Sequence, residues 1–138
     1  KSKYGTITND LNPEMPTDFH LDALKFLKEM QTGLADIVLF DPPYSFRQAT
    51  ECYKSYGKEK LSLSVANMKY WSECKNEIAR ILKPGGIVIC CGWNTNGLGK
   101  CRGFEPIEIL IVSHGGGKND TLVTVEQKTT SEYGYLKN

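Results

Sequence analysis

A mostly parallel, doubly wound α/β sheet with an antiparallel pair at one edge is the fold class this sequence predicts, and three features predict it. Apolar runs at 37–40 and 87–91 have the length and the β-branched content of buried strands. Stretches with helical apolar spacing, 23–30 and 65–82, alternate with them, as in βαβ architectures. Two more strand-like runs, 107–112 and 121–125, are joined by the turn His114-Gly115-Gly116-Gly117-Lys118-Asn119-Asp120. A connection that short makes neighbours antiparallel.

Each element has a local reason. Residues 4–8 read as a short strand, and Asn9-Asp10-Leu11-Asn12-Pro13 as an Asx-rich turn. Residues 15–21 are weakly extended. Asp22 is placed to cap a helix whose apolar face is Leu24, Phe26, Leu27 and Met30, and Gly33 ends it. Residues 45–64 are polar and aromatic, with Arg47, Gln48, Tyr53, Lys54, Tyr56, Lys58 and Lys60, and read as a long loop with room for one turn of helix, of a length that is functional or mobile in compact domains. Ser64 is the expected cap of the next helix, whose buried side is Met68, Trp71, Ile78, Ile81 and Leu82. Lys83-Pro84-Gly85-Gly86 stops that helix. The 87–91 strand runs into Gly92-Trp93-Asn94 and a glycine-rich basic loop. The tail after Lys128 is polar and expected to fray.

The chain has 138 residues, the size of one domain. Its net charge of +1 gives no global field for nucleic acid, so a basic surface has to be local. No apolar run approaches the ~20 residues of a membrane helix, so no membrane partner is expected. The residues carry no signal of oligomeric state. The five cysteines form no C-x-x-C pair, which suggests neither a disulfide framework nor a metal site and points to a reducing cytoplasm. Cys90 and Cys91 read as core filling. His20 and His114 lack ligand spacing and default to structural or surface roles.

The organising stretch is Ala35-Asp36-Ile37-Val38-Leu39-Phe40-Asp41-Pro42-Pro43-Tyr44. Pro42 and Pro43 have no N–H, so the strand ends in a stiff extended turn. In open α/β sheets, ligands bind at that end. A carboxylate, a carbonyl and an aromatic ring in fixed order suit a flat molecule with an amino group. Asp41 and a proline carbonyl take the two amine protons and Tyr44 stacks. Asp10 and Asn12, just past the first strand, are placed either for ribose hydroxyls or for their own turn.

Asp-Pro-Pro-Tyr after an apolar strand resembles the catalytic motif of amino-group methyltransferases that use S-adenosylmethionine. With Asn9-Asp10-Leu11-Asn12-Pro13, the Asp22 helix start, Leu82-Lys83-Pro84-Gly85-Gly86 and Gly92-Trp93-Asn94, the chain resembles adenine-specific DNA methyltransferases of the phage and prophage type. The resemblance implies a methyltransferase-type sheet and a single catalytic domain over 1–138. The family's first strand and its loop for the methionine end of the cofactor are expected to be missing before Lys1. It implies S-adenosylmethionine as cofactor, held by Asp10, Asn12 and Asp22. It implies DNA as partner, in a bacterial cytoplasm where a phage or prophage encodes the enzyme.

In this reading Asp41, Pro42, Pro43 and Tyr44 are catalytic, and no catalytic cysteine or metal is needed. Arg47, Lys54, Trp93, Asn94, Lys100 and Arg102 are expected to meet DNA beside Tyr44: basic residues on phosphates, the amide and ring on bases. The target base is rotated out of the duplex. Methylation of cytosine or RNA, or a catalytically silent nucleic-acid-binding module on the same fold, are the alternatives.

Overall fold

The structure, a computed structural model, describes residues 7–55, 57 and 68–130. Its elements are helix α1 (Ala23–Glu29), strand β1 (Ala35–Phe40), helix α2 (Phe46–Ser55), helix α3 (Met68–Ile81), strands β2 (Leu82–Gly92), β3 (Phe104–Val112) and β4 (Thr121–Lys128), with a 3-10 turn at Lys100–Arg102. The expected strand at 4–8 and the Ser64 cap lie largely or wholly outside the described residues. Residues 7–8 form no strand; Thr8 instead binds Asp18, with Oγ1 2.7 Å from Oδ2. None of the described helices is long and apolar enough to cross a membrane.

The sheet order is β1-β2-β4-β3. Only β1 and β2 are parallel; β2–β4 and β4–β3 are antiparallel. The expectation of a mostly parallel sheet is therefore corrected: among the described strands it is mixed and mostly antiparallel. The β3–β4 hairpin enters with β4 inward, beside β2. The inner place suits β4, which buries Thr121, Thr124 and Glu126, whereas β3 exposes Ile107, Ile109 and Ile111.

The helices share one core. Leu27 of α1, Ala49 and Tyr53 of α2, and Tyr70, Cys74, Ile78 and Ile81 of α3 cluster with Val88, Cys90, Leu98 and Phe104, and Val38 and Phe40 pack against them. The spacing 70, 74, 78, 81 is one helical stripe. Met68, two residues from Tyr70, points roughly 200° away by helical geometry and is 88% exposed, not buried as expected. The other sheet face is open: Ile37 and Leu39 are 64% and 70% exposed. β1 is thus half-covered, contrary to the reading of a fully buried strand, because the described helices all join the cluster on one side.

The Lys83–Gly86 segment stops α3 and also kinks β2. Leu82 pairs with Ala35 and Ile87 with Ile37, so four residues oppose one and bulge out. A Cβ on Gly86 would lie 2.9 Å from the Lys83 carbonyl and 3.2 Å from that of Asp36, which is why glycine stands there. Lys83 Nζ bridges to Asp36 at 2.6 Å across the bulge. Lys128 reaches back to cap α3, donating to the carbonyls of Ala79 at 2.7 Å and Leu82 at 2.8 Å.

Cys74 and Cys90 are core residues, and Cys91 is half-buried. Burial, aided by Asp22 near Cys74 and Glu126 near Cys90, pushes both thiols from 9.0 up to about 12. The unfolded chain releases these protons near pH 9, the folded chain only near 12, so the stability they contribute is complete below pH 9 and lost above it. The thermal midpoint, measured in reductant, is expected to fall as pH rises past 9, and Cys90→Val should flatten that slope. A midpoint indifferent to pH in this range would show that the thiols ionise alike in both states.

Candidate functional site

Strand β1 stops at Phe40, where the prolines begin. Asp41 is exposed, and its Oδ1 accepts a 2.8 Å hydrogen bond from the Tyr44 hydroxyl. Trp93, just past β2, stands edge-on to Tyr44, ring centroids 5.9 Å apart at 68°. The parallel pairing of Phe40 with Cys90 brings these two strand ends together. Burial chiefly, then the Asp41 hydrogen bond, raises the Tyr44 hydroxyl above its ordinary pKa, while Thr121 opposes the shift. Cys91 is also raised, by burial and then by the charge of Asp41. The structure thus gathers Asp41, Pro42, Pro43, Tyr44, Trp93 and Asn94 at one end of the sheet. Asn94 is exposed there, and its Oδ1 accepts from Asn96 N at 3.0 Å.

Two features of this end differ from the expectation drawn from the sequence. The first is Thr121, the opening residue of β4, which reaches the Tyr44 hydroxyl and also pairs with His114 Nε2 at 2.9 Å. The second is α2, expected as loop with one turn of helix at most. Ser45 Oγ accepts from Gln48 N at 3.2 Å, and Gln48 Oε1 accepts from Tyr44 N at 2.9 Å. Ser-x-x-Gln is the signature of a capping box, and here it closes in a shifted form, with Gln48 reaching the N–H of Tyr44 and not that of the cap residue Ser45. Gln48, expected in a loop, therefore holds the Tyr44 backbone. Phe46, Ala49 and Tyr53 carry the helical spacing, and the last two are buried.

The acids read as cofactor ligands lie on the N-terminal segment. Asp10 Oδ1 accepts from Asn12 N at 2.8 Å and Asn12 Oδ1 from Glu14 N at 3.0 Å, so both shape Asx turns. Asp10 keeps its second carboxylate oxygen without a hydrogen-bond partner among the described residues. Asp22 is more fully committed. Oδ1 caps α1 through Leu24 N and Lys25 N. Oδ2 accepts from Tyr70 at 2.8 Å and Tyr53 at 3.2 Å. Burial, above all, raises both tyrosine hydroxyls.

The basic residues do not form one edge. Arg47 and Lys54 are exposed on α2, next in the chain to Tyr44, and Arg47 pairs with Glu51 at 2.7 Å. Arg102 is a clamp. Its guanidinium binds Asn76 Oδ1 at 2.8 Å and Ser72 Oγ at 2.8 Å on α3, and the Leu98 carbonyl at 3.0 Å. Lys100 pairs with Glu105 at 3.2 Å. Glu105 lies level with Gln127 and Ile87, five residues down the sheet from Gly92, roughly 16 Å at the usual strand rise. The expected grouping of Lys100 and Arg102 beside Tyr44 is corrected, because the loop after Asn94 turns back along the sheet.

No family model matches the sequence, and no curated protein does. Solved structures do match by fold. A protein of Thermus thermophilus, provisionally assigned as a DNA modification methylase and solved with S-adenosyl-L-methionine, has a TM-score of 0.51 at 15% identity over 85% of this chain and 54% of its own. A SAM-dependent methyltransferase from Methanosarcina mazei gives 0.53 at 14% over 88% and 72%. The N-methyltransferase NodS from Bradyrhizobium japonicum WM9, in complex with S-adenosyl-L-homocysteine, gives 0.55 at 10% over 87% and 64%. The chain spans about half the length of the Thermus protein. Together with the mixed sheet and the strand-end site, the likeness establishes that this chain has the fold of the SAM-dependent methyltransferases.

Proposed function

We propose that this chain carries the catalytic residues of an S-adenosylmethionine-dependent methyltransferase acting on the exocyclic amino group of adenine in DNA. The observation that carries the reading is the set Asp41, Pro42, Pro43, Tyr44 and Trp93 at the ends of two parallel strands, on a methyltransferase fold. When bound, S-adenosylmethionine supplies an electrophilic methyl group on a sulfonium sulfur. Asp10 and Asn12 would hold it: the open oxygen of Asp10 suits a ribose hydroxyl. Asp22 fits less well, since both of its oxygens already accept bonds from within the chain. Tyr44 and Trp93 form the wall on which an extruded base stacks. Asp41 and the Pro42 carbonyl accept the amine protons, aiming the nitrogen lone pair out of the ring plane. Their contribution is positioning and electrostatics. Arg47 and Lys54 on α2 are the remaining candidates for backbone phosphates.

The test is transfer of labelled methyl to adenine-containing duplex by the full encoded chain. Label on cytosine would overturn the choice of base. A chain that binds no S-adenosylmethionine by calorimetry would overturn the enzyme reading in favour of a silent binding module. Asp10→Ala is expected to weaken cofactor binding by ~1–3 kcal/mol, the range for losing hydrogen bonds to a charged acceptor. Unchanged affinity in the folded variant would reduce Asp10 to a turn former.

A further inference from the structure

Glu126 has no part in the chemistry above, yet it is 2% exposed on the helix-covered face of β4. A buried carboxylate is costly unless hydrogen-bonded. No ion pair of the described residues includes it. Its partners are backbone amides: Oε2 accepts from Leu98 N and Oε1 from Gly99 N, the latter at 3.0 Å. The Leu98 side chain is 1% exposed and belongs to the core. Gly97 has φ +37°, and a Cβ there would collide with the Glu126 carboxylate. The loop therefore lies directly over Glu126, and glycine at 97 is what lets it pass.

This anchor sits close to the site along the chain. Gly92 is held by pairing with Leu122, and Leu98 by Glu126. Only residues 93–97 span the interval, and they begin with Trp93, edge-on to Tyr44. Five residues tied at both ends have few paths. We propose that Glu126 is a positioning residue: its carboxylate holds the 93–99 loop in the path that sets Trp93 against Tyr44, and so builds the wall on which the base stacks. The wall's use rests on the methyltransferase reading; the loop's anchoring does not.

Nuclear magnetic resonance of the labelled chain tests it without any assay of activity. Tyr44→Leu supplies the reference position of the Trp93 indole signal with no tyrosine ring beside it. Glu126→Gln keeps the size of the side chain but turns an NH2 toward one of the two amides. In this variant the Leu98 and Gly99 amides are expected to exchange with solvent about tenfold faster or more, as follows from losing a bond to a charged acceptor. The Trp93 indole signal should move to its Tyr44→Leu position, while amides of residues 87–92 stay put. Gly97→Ala pushes on the same contact from the loop side, and should move Trp93 likewise with Glu126 intact.

The functional arm uses a short duplex with adenine opposite an abasic position. Its affinity should fall about tenfold in Glu126→Gln, with S-adenosylmethionine binding unchanged. Trp93 unmoved in the folded variants would overturn the proposal and leave Glu126 as core filling. Should Glu126→Gln fail to fold, Gly97→Ala decides alone. Spectra that move as expected, in a protein whose wild type ignores the duplex, would overturn the methyltransferase reading and uphold the positioning role.

Discussion

Asp41→Ala is expected to lower methyl transfer by ~10²–10³, the usual cost of removing one preorganised group from a transition state, with the fold intact. Asp41 is exposed beyond the end of β1, and its carboxylate accepts a hydrogen bond from Tyr44. Exposed substitutions of this kind stay within about 0.5 kcal/mol, so a melt should barely move. The proposed interaction matters most as the amine attacks, so turnover should fall more than substrate binding weakens. Tyr44→Phe sharpens the test. From the motif alone only the ring matters, and the hydroxyl is dispensable. The structure shows that hydroxyl bonded to Asp41 Oδ1, so Phe frees the carboxylate as well as keeping the ring. Tyr44→Phe should therefore retain stacking yet lose activity ~10-fold, about one hydrogen bond's contribution to aiming Asp41. Full transfer by a well-folded Asp41→Ala protein would rule out the mechanism.

The second large effect is on stability. Asp22→Ala is expected to destabilise the chain by ~2–4 kcal/mol, combining a lost helix cap with two buried hydroxyls deprived of their acceptor. Asp22 joins three elements: it caps α1 and receives Tyr53 from α2 and Tyr70 from α3, with the two hydroxyls 3.2 Å apart. A urea titration measures the loss. In a Tyr53→Phe/Tyr70→Phe background the same substitution should cost only the cap, because no hydroxyl is left unpaired. A loss within about 0.5 kcal/mol in the wild-type background, the range of an ordinary surface substitution, would show the cluster to be incidental and return Asp22 to the role of cofactor ligand alone.

Local reading reaches only so far in these cases. The end of β1 at the prolines, the Asp22 cap, the stop of α3 within a residue of Leu82 and the β3–β4 hairpin were legible because each depends on residues a few positions apart. Helix α2 was read as one turn at most, against the ten residues observed, although Ser45-x-x-Gln48 announced its start, since the polar composition of 45–64 outweighed the capping signal. Asp22 as an N-cap was visible, whereas its two tyrosines were not, lying 31 and 48 residues away.

What the sequence by itself determined is the set of local events: that β1 stops at the prolines, that Asp22 caps α1, and that an acid, two prolines and a tyrosine stand together at a strand end. Backbone stereochemistry and short-range hydrogen bonds suffice for those. The tertiary structure decided the strand order, which turned an expected mostly parallel sheet with an antiparallel edge pair into a mostly antiparallel one among the described strands. It also decided which charges are free to act. Arg102 reads as a DNA contact until Ser72 and Asn76 are seen around it, and nothing local marks Glu126 for burial beneath Leu98 and Gly99. A side chain's role depends on what desolvates it and pairs with it, and those partners come from elements 26 to 30 residues away that meet only when the chain folds.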